Sequence, residues 1–396
     1  MTNNPEPQPQ DATSTPESPT AEVKHDVADN PDADFARINL QDLAGYEAPE
    51  RAFLTLYLSG PEAVERLDDQ ADRVRRVLAG DDDEMEHFEN SLEMVRTWLD
   101  ENPFDSEGQV VFACWALDLV RGFPLAVSPP DRLWLGASPF IRPLAELQDE
   151  YETFAVVAAD NSATRIFLVS STLVADEARV RGDVKNRVKK GGWSQKRYAR
   201  RRKEQLHHYA DEVVDVLRKM AEESEFQRIV LLGQKEAMEE IAGALPQQLA
   251  DRLLEPRRAD VQEERDELMG AAMEVFTAGE RSDEEHLWTR IREEAVGHGL
   301  AALGATEVLE AARAGRVEAM AVVRDAELRG TRCRECENVV HGTPKTCQAC
   351  GSASVFEIDL VDELTRQVAL HAGETDFTDP IPGLKDAGGV AALLRY

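Results

Sequence analysis

Apolar residues along this chain fall into short blocks, and the spacing inside each block predicts an element. Ala52-Phe53-Leu54-Thr55-Leu56-Tyr57-Leu58 and Val110-Val111-Phe112-Ala113-Cys114 are near-continuous apolar runs of strand length. Between them, apolar positions recur at helical spacing from Ala63 to Leu78 and from Met85 to Leu99. Gly80-Asp81-Asp82-Asp83-Glu84 joins those two helices and reads as an acidic loop. Phe154 to Ala159 and Ala163 to Val169 predict a hairpin turning at Asp160-Asn161. A long basic helix follows from about Lys196 to Ala221. Arg228-Ile229-Val230-Leu231-Leu232-Gly233 is apolar after its first residue, the pattern of a central strand covered on both faces. A helix begins near Lys235, and further helices are predicted over 268–277, over 283–297 and from Gly304 onward. Val317 to Val323 is a strand, and Gly388-Gly389-Val390-Ala391-Ala392-Leu393-Leu394-Arg395-Tyr396 closes the chain.

Strands alternating with helices imply layered α/β structure. At 396 residues the chain is too long for one core. The reading is three consecutive mixed α/β domains, 34–130, 131–267 and 268–396, with the first boundary at Ser128-Pro129-Pro130. Residues 1–33 are rich in Pro, Thr, Ser, Asn and Asp and read as a disordered tail. No run of 18 apolar residues predicts a membrane span, and the N-terminus lacks the pattern of a signal peptide. A cytoplasmic monomer with no membrane contact is expected. The net charge of −31 argues against a surface that coats nucleic acid everywhere. It leaves room for a basic patch on an acidic body.

Four of the five cysteines stand in two close pairs, Cys333-x-x-Cys336 and Cys347-x-x-Cys350, within an insertion at 331–352. Two such knuckles can supply four thiolates in a tetrahedron, which suits Zn²⁺. With no ligand position left for water, the zinc would be structural. Gly351 follows the second pair, where a knuckle turn favours a residue without a Cβ, and Glu337 holds that place after the first. The fifth cysteine, Cys114, lies in an apolar run and reads as a core thiol.

Residues 179–204 carry twelve Lys or Arg against Asp183 and Glu204, a local charge of +10. Such density repels itself unless phosphates neutralise it. Arg187, Lys189, Lys190, Lys196, Arg197, Arg200, Arg201 and Arg202 are the expected RNA contacts, with Trp193 and Tyr198 placed to stack on bases or riboses. The plain alternative is a solvated helix face. Charge alone does not separate RNA from DNA. Gly191-Gly192 would let backbone approach a ligand closely, and Gln195 carries both a donor and an acceptor. His207 and His208, farther along the helix, read as surface or RNA-contact residues rather than catalysts.

Gly191-Gly192-Trp193-Ser194-Gln195 followed by Arg197-Tyr198-Ala199-Arg200-Arg201-Arg202 resembles the Gly-Gly-Gln loop and helix start of archaeal and eukaryotic class-I release factors, the superfamily that includes Pelota. The segment Gly304 to Met320 and the ending 388–396 are similar to that family's third domain, over a resemblance spanning about 40–396. The resemblance implies three α/β domains. It also implies a third domain like a kink-turn-binding ribosomal-protein fold, carrying the zinc-ribbon insertion. Two departures stand out. Trp193 occupies the family's Gln position, with Gln195 two residues later. The acidic 80–84 segment replaces the family's stop-codon motif, and its carboxylates would repel mRNA phosphates.

The resemblance implies a ribosomal A-site factor, independent of codon, that contacts rRNA and peptidyl-tRNA and works with a translational GTPase such as elongation factor Tu. In one reading Gln195, Gly191 and Gly192 orient water and stabilise the oxyanion during peptidyl-tRNA hydrolysis, releasing the peptide and rescuing the ribosome. In the other the chain occupies the A site without chemistry, in ribosome hibernation or recognition of stalled ribosomes. A two-metal nuclease is disfavoured because the loop has no carboxylate cluster.

Overall fold

The computed structural model describes residues 38–48, 50–104, 106–125, 127–161, 163–170, 173–181, 193–223, 226–297 and 299–396. Side chains are described for all of these except 170–181, 193–202 and 223. The predicted tail, 1–33, lies outside the described residues. The architecture is mixed α/β with several separate sheets.

In chain order the first unit holds α1 (Leu40–Ala44), β1 (Phe53–Leu58), α2 (Pro61–Glu65), α3 (Leu67–Leu78), α4 (Asp82–Glu101), β2 (Gly108–Cys114), β3 (Leu119–Leu125), β4 (Arg132–Gly136) and α5 (Arg142–Glu150). The strands form an antiparallel sheet in the order β3-β2-β1-β4. Every residue of β1 and β2 is buried because both faces are covered. Leu54, Leu56, Val111 and Ala113 pack under α2, α3 and α4, while Phe53, Tyr57, Val110 and Phe112 face α1 and α5. Two expectations change here. Strand β4 follows Ser128-Pro129-Pro130, so that turn lies within the first sheet. The acidic 80–84 segment is a helix start rather than a loop. Asp81 is the N-cap of α4, its Oδ1 accepting the Glu84 N–H at 3.2 Å, and Asp82, Asp83 and Glu84 fill the first turn, where the helix dipole favours carboxylates.

The central unit holds β5 (Phe154–Ala159), β6 (Ala163–Ser170), β7 (Leu173–Arg181), α6 (Trp193–Glu223), β8 (Arg228–Gly233), α7 (Lys235–Ala244) and α8 (Gln247–Ala250). Its sheet runs β7-β6-β5-β8, with β5 and β8 parallel. Strand β7 is not predicted from the sequence, since Asp176, Glu177, Arg179 and Arg181 hide its pattern. Charges of this kind are usual on an edge strand, which must not recruit another chain.

Helix α9 (Arg265–Gly297) is one continuous helix where the sequence suggests two. Leu268, Ala272 and Phe276 pack on the central sheet, and Leu287, Trp288 and Ile291 pack on the C-terminal sheet. Its apolar face therefore shifts along its length, and the intervening Glu280-Arg281-Ser282-Asp283-Glu284 looks like a break in sequence. Each large anchor is worth roughly 1.5–3 kcal/mol of burial. The expected boundary at 267/268 thus falls in the first turn of a helix shared by two cores.

The C-terminal unit holds β9 (Ala301–Leu303), α10 (Gly304–Arg313), β10 (Val317–Val323), β11 (Arg329–Cys333), β12 (Val339–His341), β13 (Val355–Asp359), α11 (Leu360–Leu370), β14 (Glu374–Thr378), α12 (Pro382–Asp386) and β15 (Val390–Leu394). Its main sheet runs β14-β10-β15-β9, and β12-β11-β13 forms a small ribbon. No helix among the described residues is long and apolar enough to cross a membrane.

Candidate functional site

Helix α6 carries the basic segment. Its packed seam runs through Leu206, Tyr209, Ala210, Val213 and Leu217, which lie against Ala155, Val157, Ile229 and Leu231. The Tyr209 hydroxyl is hydrogen-bonded to the Thr164 hydroxyl on β6, which fixes the rotation of the helix. Burial pushes the Tyr209 phenol up to about 12. The helix begins at Trp193 and the described seam at Leu206. At 1.5 Å per residue, the first turns extend about 20 Å ahead of that seam.

Gly191, Gly192, Arg187, Lys189 and Lys190 lie outside the described residues. Trp193, Gln195, Lys196, Arg197, Tyr198, Arg200, Arg201 and Arg202 are in the opening turns of α6, with their side chains outside the described residues. Trp193, Ser194 and Gln195 are therefore helical in backbone, a change from the expected 191–195 loop. His207 and His208 are exposed. His207 Nδ1 is 3.9 Å from Glu240, and His208 Nε2 is 3.6 Å from Glu212 one turn on.

The four predicted metal ligands come together. All their sulfurs lie within 4.8 Å of one another, with Cys333 to Cys350 at 3.6 Å and Cys336 to Cys347 at 3.5 Å. A tetrahedral zinc with bonds of about 2.3 Å places sulfurs about 3.8 Å apart, whereas a disulfide needs about 2.05 Å. The donor set and spacing fit Zn²⁺. The two knuckles are the same turn. Glu337 N–H donates to the Cys333 carbonyl at 3.0 Å and Gly351 N–H to the Cys347 carbonyl at 2.9 Å. Glu337 has φ 58 and Gly351 φ 80, so the glutamate adopts the geometry the glycine supplies freely. Backbone N–H bonds from Cys350 and Ala349 draw the Cys347 thiol down to about 6 against the effect of burial. Cys114 is fully buried, and burial raises its thiol.

Sequence reasoning misses what surrounds the cysteines. Glu84, in the first turn of α4, has no side-chain exposure. Arg51 Nε donates to its Oε2 at 2.8 Å, and Arg334 Nη2 donates to its Oε1 at 2.8 Å. Arg334 sits between Cys333 and Cys336, 250 residues from Glu84, so no local pattern announces the pair. On the other side of Cys333, Arg332 is hydrogen-bonded to Glu47. Burial opposes ionisation of Glu47, but that bond and the Arg366 charge hold it below the usual carboxylate range. The acidic segment is thus engaged with the cysteine ribbon.

Residues 139–277 match the family model described as bacterial archaeo-eukaryotic release factor family 10. Over 210 residues the chain is 29% identical to peptide chain release factor subunit 1 of Methanopyrus kandleri, covering 51% of each chain. It thus spans about half the length of the curated relative it matches. Among solved structures, it is similar to the archaeal translation termination factor aRF1 at 14% identity, covering 91% of this chain and 97% of that one with a TM-score of 0.26. It is also similar to the S. cerevisiae translation termination-like factor Dom34 at 13% identity, covering 70% and 73% with a TM-score of 0.42. Overlays this loose add nothing to the sequence match.

Proposed function

We propose that this chain, whose residues 139–277 match the release-factor family model, is a translation factor of the release-factor and Pelota type that binds the ribosomal A site independently of codon. The basic opening turns of α6 contact rRNA and peptidyl-tRNA, and the 191–195 segment is carried to the peptidyl-transferase centre. There Gln195, with the Gly191-Gly192 backbone, orients water against the peptidyl-tRNA ester. The result is peptide release and ribosome rescue. The supporting observation is one of charge placement. A +10 segment in a −31 chain, 179–204, lies within the matched family region, and its residues 193–204 open a helix anchored by Leu206 and Tyr209.

A second reading keeps A-site binding without chemistry, as in hibernation or stalled-ribosome recognition. Trp193 in the family's Gln position favours it, as does the placement of Gln195 in the first helical turn. In both readings a translational GTPase such as elongation factor Tu delivers the chain, which works as a cytoplasmic monomer. The Cys333, Cys336, Cys347 and Cys350 cluster holds a structural Zn²⁺, within a third domain resembling a kink-turn-binding fold. The ion supplies cross-linking of a segment poor in apolar residues, and no step of the chemistry runs through it.

Cosedimentation with ribosomes tests the binding claim. Arg200→Ala, Arg201→Ala and Arg202→Ala together should weaken binding about 10- to 50-fold near physiological salt and reduce its salt dependence. Unchanged affinity and salt slope would remove the basic turns from the interface.

A further inference from the structure

Arg332 and Arg334 bracket Cys333 at a spacing of two, and both reach the N-terminal unit. Arg332 meets Glu47, and Arg334 meets Glu84 at 2.8 Å and Asp81 at 3.7 Å. Arg332 is on strand β11 and Arg334 opens the turn that follows Cys333. The Arg334 and Arg51 guanidiniums also lie 5.1 and 5.8 Å from the centroid of the Phe356 ring on β13, so one aromatic backs both cations that neutralise Glu84.

Arg334 is held at its tip by Glu84, Phe356 and the Val355 carbonyl, which its Nη1 meets at 3.4 Å, but the knuckle segment that carries it has few apolar contacts of its own. From 333 to 352 the buried residues are Cys333, Val339 and Cys347, and two of those three are ligands. The Arg334 N–H donates to the Ser354 carbonyl at 3.0 Å, joining its turn to the chain leaving the second knuckle. Without a cation, four adjacent sulfurs either repel as thiolates or lose their cohesion as thiols. The turn that aims Arg334 would then relax. Glu84 would keep only Arg51 in a site with no solvent, and a buried carboxylate left short of a partner is strongly disfavoured.

We propose that the cysteine cluster, filled by a thiophilic divalent cation, is an interdomain latch. Metal occupancy positions Arg334 over Glu84 and so fixes the first turn of α4 against the C-terminal unit, while loss of the metal releases that turn, the ties from Asp362 and Asp359 to 141–142 remaining in place. Arg334 is a positioning residue in this device. The inference rests on the zinc reading of the cysteines and is independent of any ribosomal activity.

Carboxyl footprinting of the full chain tests it, using carbodiimide with glycine ethyl ester and mass spectrometry, with bound zinc quantified in parallel. Glu84 is buried and Glu86, two residues on, is exposed, so their labelling ratio reports the latch from within one helix. Zinc-loaded wild type should leave Glu84 at least 10-fold slower than Glu86. Removing zinc with a chelator should bring Glu84 towards the Glu86 rate. Arg334→Met should do the same while retaining full zinc, which separates release of the latch from collapse of the ribbon. Three outcomes would overturn the proposal. Glu84 could stay protected in the stripped protein, it could stay protected in Arg334→Met, or the purified chain could hold no metal and yet protect Glu84.

Discussion

Where the N-terminal unit meets the C-terminal unit, buried and half-buried carboxylates find guanidiniums. Glu84 has Arg51 and Arg334, Glu363 has Arg366 at 3.1 Å, and Asp359 has Arg142 at 3.0 Å. Asp362, which burial pushes well above the usual carboxylate range, accepts the Ile141 and Arg142 N–H groups at 2.9 Å. The seam beneath the middle of α9 has carboxylates in excess. Asp149, Glu152, Glu280, Glu284 and Asp376 crowd together, with Arg324 paired to Asp149 at 3.1 Å and Arg228 facing Glu152 and Asp376. Burial pushes Asp149 up to about 7, Glu280 to about 8 and Asp376 to about 6, with neighbouring carboxylates adding to each. A chain with 76 acids and 45 Lys or Arg has few cations to place. At the first seam the buried carboxylates find partners, and at the second the carboxylates outnumber Arg324 and Arg228. The first should behave as a clasp and the second as a joint that loosens with pH.

The largest effect should come from opening the clasp. Glu84→Ala leaves Arg51 and Arg334 without their shared carboxylate, and breaking such a buried pair costs about 3 kcal/mol. Calorimetry should show the N-terminal unit melting several degrees earlier. A melting curve like the wild type would mean that Glu84 is not a clasp.

A smaller and oppositely signed effect is expected at the joint. Carboxyls whose folded pKa is raised bind protons more tightly when folded. Their contribution is fully present below the ordinary carboxylate range and is lost as pH rises through about 6 to 8. Thermal stability should therefore fall between pH 5 and pH 8.5. Glu280→Gln and Asp149→Asn should flatten that fall and raise the melting temperature at pH 8, by less than about 1 kcal/mol each after solvent screening. A steeper fall in either variant would contradict the assignment.

The smallest effect belongs to Asp283, which bonds Arg228 at 2.8 Å but also faces Asp376 and Glu152. The side chain is half-exposed, so solvent screens both its attraction to Arg228 and its repulsion from the neighbouring acids. Asp283→Asn should change stability by no more than about 0.5 kcal/mol in urea unfolding. A loss of 2 kcal/mol would show the joint to be better paired than it looks.

The same contrast explains what could be read from sequence. Strands covered on both faces, β1, β2, β5 and β8, are continuous apolar runs and stand out plainly. The cysteine cluster was legible because knuckle spacing is local. The middle of α9 was not, since its charged residues face a seam between two cores rather than a core. Nor was the start of α4, where a run of acids that reads as a solvated loop is a capped helix turn holding one fully buried carboxylate. Arg334 was invisible because its partner is set by tertiary packing. For the basic segment, charge and resemblance carried the reading, and the backbone adds that Trp193 and Gln195 open a helix.

The most direct test of the account is release of labelled peptide from ribosomes holding peptidyl-tRNA in the P site, with sense, stop or empty A-site codons. Release is expected with all three, reduced by about 100-fold in Gln195→Ala, the size expected when one oxyanion-stabilising or water-orienting group is lost. No release from ribosomes that bind the chain saturably would contradict the hydrolytic claim and leave A-site occupancy as its function.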